Sequence, residues 1–110
     1  MLQLKIRINH ERVLKMTDII KENYLKKSVI YDNIWMYFIK TAKEVVYDCQ
    51  KNQIRIMALE AFKLTGEGIQ PSQEHSIDFN VNEDSWGRAI DFLSNIKDTD
   101  YLYEIWYEGY

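Results

Sequence analysis

The sequence predicts one α+β domain in which a four-stranded, mainly antiparallel sheet carries its helices on one face. Three observations predict it. Segments of alternating apolar and polar residues recur along the chain, segments with apolar residues three and four apart lie between them, and 110 residues is the length of one compact domain. A chain this long buries roughly two-thirds of its unfolded surface, enough for one core without staples. Residues 1–110 are therefore read as a single domain.

Leu2, Leu4, Ile6 and Ile8 alternate with Gln3, Lys5, Arg7 and Asn9, which predicts a half-buried strand over residues 2–8. Val13, Met16, Ile20 and Tyr24 then form one helical stripe. Lys26-Lys27-Ser28 suits a helix end, with Ser28 capping a second helix. Ile30, Ile34, Phe38, Ala42, Val45 and Cys49 keep helical spacing, and Tyr31 and Trp35 widen the stripe. Over residues 53–64 the alternation of Ile54, Ile56 and Ala58 argues for a strand, although Met57–Phe62 are good helix formers. Gly66, Gly68 and Pro71 mark residues 65–75 as a loop.

Ile77, Phe79 and Val81 predict a further strand, with Asp78 and Asn80 on its outer face. Asn82 or Asp84 caps a short helix whose apolar positions are Trp86, Ala89, Ile90, Phe92 and Leu93. Residues 101–108 alternate again, with Tyr101, Tyr103, Ile105 and Tyr107 on one face and Leu102, Glu104, Trp106 and Glu108 on the other. Treating the first two helices as one two-part segment gives βαββαβ, the ferredoxin-like order. In that plan the last strand lies beside the first, so Glu104, Trp106 and Glu108 stand near Lys5 and Arg7 on the open face of the sheet.

Composition closes off several classes. The chain is 46% hydrophobic and 28% charged with four Gly and one Pro, which excludes disorder and collagen-like sequence. The lone Cys49 excludes an internal disulfide and a cysteine-built zinc site. No apolar run approaches the ~18 residues of a membrane helix. The first residues do not resemble a signal peptide, so a cytoplasmic setting is expected. The net charge of −3 is uneven: residues 1–55 hold 11 Lys/Arg against 6 Asp/Glu, a balance of +5, and residues 56–110 hold 3 against 11, a balance of −8.

No catalytic site assembles. His10-Glu11 opens like a zincin motif, but Leu14 occupies the place of the second ligand. His75 stands alone, and Cys49 falls on an apolar helical stripe. Asp98, Asp100 and Glu104 are spread over a turn and a strand, too dispersed to specify a cation site. Gly66-Glu67-Gly68 lacks the residues of a phosphate cradle. The outward positions Lys5, Arg7, Asp78 and Asn80 offer no aromatic platform for RNA bases. We expect no enzyme, no cofactor, no metal and no direct contact with nucleic acid. Lysines 15, 21, 26, 27, 40 and 43 are read as solvated helix faces.

The feature that calls for an explanation is the acidic, aromatic C-terminus. Tyr101, Tyr103, Trp106, Tyr107 and Tyr110 interleave with Glu104 and Glu108 and follow Asp98 and Asp100. Tyr and Trp provide large contact area at low entropic cost, and carboxylates steer a basic partner. The sequence thus predicts a binding protein that inhibits a larger basic protein, such as a nuclease, with Asp98, Asp100, Tyr101, Tyr103, Glu104, Trp106 and Glu108 as the contact residues. This is the manner of immunity proteins, antitoxins and phage inhibitors, an analogy of class. The alternative is a self-associating, homodimeric structural or ligand-sensing domain whose open sheet packs on its own copy.

Overall fold

A computed structural model describes residues 16–108. Its elements are α1 (residues 16–23), β1 (Ser28–Tyr31), β2 (Ile34–Phe38), α2 (Ile39–Lys51), β3 (Ile56–Thr65), β4 (Gly68–Asp78), α3 (Ser85–Ser94) and β5 (Tyr101–Tyr107). The strands form one sheet in the order β1-β2-β5-β3-β4, and every neighbouring pair is antiparallel. The α+β class thus holds, with five strands where four were expected. Among the described residues β5 lies between β2 and β3. The strand expected over residues 2–8, with Lys5 and Arg7, lies outside the described residues.

Two strands that were not expected, β1 and β2, arise from a correction at residues 28–38. Ser28 starts no second helix: it closes a short 3-10 turn over Leu25–Lys27 and opens β1, and its hydroxyl donates to the Leu25 carbonyl at 2.7 Å. Asp32 and Asn33 take φ of 48° and 65°. Two successive positive φ values make the tight hairpin turn that matches strand twist, and Asp and Asn tolerate that region better than most side chains. The Ile30, Ile34, Phe38 spacing is therefore coincidental, and the helix begins only at Ile39. Ala42, Val45 and Cys49 face the core as expected, Val46 joins them, and burial pushes the Cys49 thiol up to about 12.

At its C-terminus α2 closes in a Schellman arrangement. The Ile54 N–H donates to the Cys49 carbonyl and the Gln53 N–H to the Gln50 carbonyl. Gln53 holds the left-handed position with φ 57°, a place where glycine is free of strain. Next, α3 starts at an Asp84 cap whose Oδ1 accepts the Gly87 N–H at 3.1 Å. Ser85, buried at its first turn, accepts the Ile56 N–H and ties α3 to the start of β3.

The expected loop over 65–75 shrinks to a turn, because β4 already begins at Gly68. Pro71 is tolerated there since β4 is an edge strand. Surplus length is absorbed by a bulge: Ala61 pairs with Ser72 and Leu59 with Ile77, leaving 73–76 outside the ladder. Ser76 bridges the gap, its Oγ accepting from the Ala61 N–H at 2.8 Å and donating to the Ser72 carbonyl at 2.6 Å. The strand expected around residues 77–81 ends at Asp78. Phe79 is still buried, but Val81 is 75% exposed in the turn that leads to α3.

The helices cover one face, where Ile20, Val45, Cys49, Ala89 and Leu93 pack on Tyr37, Leu59, Tyr103, Ile105 and Tyr107. On the other face the sheet coils on itself. Met36, Phe62 and Leu102 form a second buried cluster, flanked by Val29, Ile34 and Ile69. The two outermost strands come into reach there: a Cβ added at Gly68 would lie 2.8 Å from the Tyr31 hydroxyl oxygen. One end of this face is therefore closed, and among the described residues the other stays open.

Two stability changes follow from these backbone features. Gln53→Gly should raise stability by about 1 kcal/mol in denaturant melts, because it relieves the left-handed strain. Ser76→Ala should cost about 1–3 kcal/mol in the same measurement, because the buried Ala61 N–H loses its acceptor.

Candidate protein-docking face

Strand register sets out the open face in rows, because side chains paired across antiparallel strands point to the same side. Phe62 lies beside Leu102, and both belong to the closed end, while Pro71, on the other side of Phe62, borders the open end. In the next row Glu60 lies beside Glu104, which in turn lies beside Met36. Beyond it come Asp78, Ala58 and Trp106. Carboxylates thus stand side by side at the centre of the sheet, with an indole one row away.

Glu60 and Glu104 are both half-buried. The Trp106 indole N–H donates to Glu60 Oε2 at 3.3 Å, which tethers a ring that is 45% exposed. Burial, then the neighbouring Glu60 charge, raises the Glu104 carboxyl above its ordinary 4.5, and the indole N–H and the Lys21 ammonium offset part of this. Among the described residues, neither Glu60 nor Asp78 makes an ion pair. The short Ala58 leaves a cleft of about 590 Å³ between Trp106 and β4, with Glu60 and Asp78 in its walls.

The predicted contact residues divide. Glu104 and Trp106 share this face as expected. Tyr103 lies on the opposite face, fully buried and edge-on to Phe92, and burial raises its hydroxyl well above the usual tyrosine range. Tyr101 also points to the helical side, stacked on His75 with centroids 4.0 Å apart. Tyr103 is therefore a core residue and Tyr101 packs partly buried at the core's margin, because the period of two sends both to the helical side whenever Glu104 and Trp106 point outward. Asp98 and Asp100 sit in the turn before β5, where Asp98 Oδ1 accepts the Asp100 N–H at 3.0 Å. Asp100 lies six residue steps from Trp106 along the strand direction, about 20 Å. Glu108 is exposed just past the strand end.

Sequence reasoning missed Glu60, set Ala58 on one face with Ile54 and Ile56 where the structure sets it opposite to them, and found Asp78 only as an outward strand residue. Alternation fails at the start of β3, where the bulge between Ile56 and Ala58 sends these two residues to opposite faces, and no local signal says which residue of β3 meets Glu104. Among the described residues no group of three His, Cys, Asp or Glu is arranged to hold a metal ion, and no helix is long and apolar enough to cross a membrane. No protein-family model, curated protein or solved structure matches the chain, so the chemistry of this face is read from its own residues.

The raised Glu104 carboxyl has a signed consequence. The folded chain keeps this proton to higher pH than the unfolded chain, so stability falls as pH rises through the window just above 4.5. Glu104→Gln should flatten that part of the profile and raise Tm near neutrality, as thermal melts between about pH 4 and 7 would show.

Proposed function

We propose that this chain is a non-enzymatic binding protein whose open sheet face occludes a larger, basic, nucleic-acid-handling protein. The observation that carries the reading is the Glu60–Glu104 pair beside a half-exposed Trp106. Like charges directly opposite each other on a sheet are destabilising, and here the cost is raised by partial burial. A lysine or arginine laid between the two carboxylates converts that repulsion into attraction, and the indole supplies an aromatic anchor. Proteins that grip phosphate backbones expose clefts lined with such cations. The contact set is accordingly Glu60, Asp78, Glu104 and Trp106.

The same charge weighs against self-association on this face. A two-fold contact brings a patch against its own copy, so the carboxylate row of one chain would meet that of the other. The partner is therefore read as a different, basic protein, reached from the cytoplasm.

The test is capture of a partner from extract of the native source by the wild-type chain and by three variants. Glu60→Lys with Glu104→Lys should lose the partner, whereas Asp98→Lys with Asp100→Lys, and Glu108→Lys alone, should keep it. The captured protein should lose nucleic-acid binding when the wild-type chain is added at stoichiometric amounts. Retention of the partner by the Glu60, Glu104 variant, with its fold confirmed by circular dichroism, would exclude this face.

A further inference from the structure

We infer that the cleft floored by Ala58 is an arginine subsite of the docking face. The inference deepens the proposed function and rests on it. The cleft exists because one methyl group separates a tryptophan on β5 from the bulged strand β4, and the Ser76 bridge holds that bulge away from the ladder. Its volume of about 590 Å³ lies within the range of pockets that engulf a side chain with its flanking backbone.

The lining selects the occupant. One wall is the Trp106 indole, and its N–H bond to Glu60 restrains the ring. Met57 and Pro71 add apolar surface for an aliphatic stem. Glu60 and Asp78 stand in adjacent rows on β3 and β4, and among the described residues no cationic side chain lines the cleft. Negative charge on two sides of an apolar, aromatic slot excludes phosphates and carboxylates and favours a cation. A guanidinium fits better than an ammonium. It is planar, so it stacks on the indole, and its fork of five donors reaches two carboxylates set apart. Glu60 has acceptor capacity left after the Trp106 bond, since an ionised carboxylate offers about four lone-pair sites. The partner contact is thus an arginine side chain whose stem lies along Trp106 and whose head sits between Glu60 and Asp78.

The probe is argininamide, with lysinamide and the neutral citrullinamide beside it, titrated into the full chain. The readout is the Trp106 indole N–H resonance, assigned by its loss in Trp106→Phe. Argininamide should give a saturating shift with Kd on the order of millimolar. Lysinamide should bind about tenfold more weakly, and citrullinamide should give no saturation. Ala58→Leu fills the cleft and Asp78→Asn removes one carboxylate, so each should weaken argininamide by about tenfold. Asp78 is exposed, so its variant keeps the proposal testable if Ala58→Leu perturbs the fold. Absence of saturation, equal binding of lysinamide, or a shift unchanged in both variants would overturn the subsite. Carrying Ala58→Leu into the capture experiment separates the two readings. A partner kept by folded Ala58→Leu but lost by the Glu60, Glu104 variant overturns the arginine subsite and leaves the docking face standing. A partner kept by both overturns the docking face itself.

Discussion

The register between β3 and β5 is the constraint on which the rest of the molecule depends. These are the central strands of the sheet, and their ladder runs from Ile56↔Tyr107 to Lys63↔Tyr101. A one-residue slip would turn Tyr103 and Leu59 out of the helical core and bring Glu104 or Glu60 into it. Burial of Tyr103, Tyr107, Ile105 and Leu59 therefore selects the register that sets Glu60 opposite Glu104. The carboxylate pair is a consequence of packing on the other side of the sheet. Neither residue could leave its neighbour without unfolding the core beneath them.

Coiling of the sheet decides how much of that face remains usable. Five strands with the usual right-handed twist bring the outer hairpins toward each other, and Tyr31 reaches the start of β4 at Gly68. Gly68 has φ 135°, a region closed to ordinary side chains, so it serves both the backbone path and the close approach. Enclosing Met36, Phe62 and Leu102 contributes roughly 1.5–3 kcal/mol for each side chain. The apolar end of the face is consumed in stability. What remains open is the end that carries Glu60, Glu104, Asp78 and Trp106.

At that end local interactions oppose the stability of the fold. Glu104 is held above its ordinary carboxyl range by burial and by Glu60, and the indole and Lys21 counter only part of the effect. Bulges border the region on both sides of β3, at residues 56–58 and 59–61. They re-aim the strands around Ala58, and side-chain hydroxyls of Ser85 and Ser76 replace the missing ladder bonds. Irregular backbone with dedicated side-chain support, beside a pair of like charges, supports the proposed reading of this face as a contact surface.

Much of this was legible in the residues themselves. The alternation in 101–107 established β5 and divided Glu104 and Trp106 from Tyr101 and Tyr103, and the Asp84 cap and the stripe of Ala89 and Leu93 established α3. The buried stripe of α2 and the inert Cys49 followed from helical spacing alone. These properties are set by neighbours within one turn or two strand residues. Residues 28–38 failed the same method because Ile30, Ile34 and Phe38 fit a helix by spacing, while Asp32-Asn33 specifies a hairpin only if strands exist for it to join. Residues 68–75 read as a loop because an edge strand with Pro71 and a bulge has almost no local signature. Above all, the meeting of Glu60 with Glu104 and of Ala58 with Trp106 joins residues more than forty positions apart. Alternation within a strand reports which face a side chain takes, but the partner across the ladder is chosen by the packing of the whole sheet against its helices, and that choice exists only in the tertiary structure.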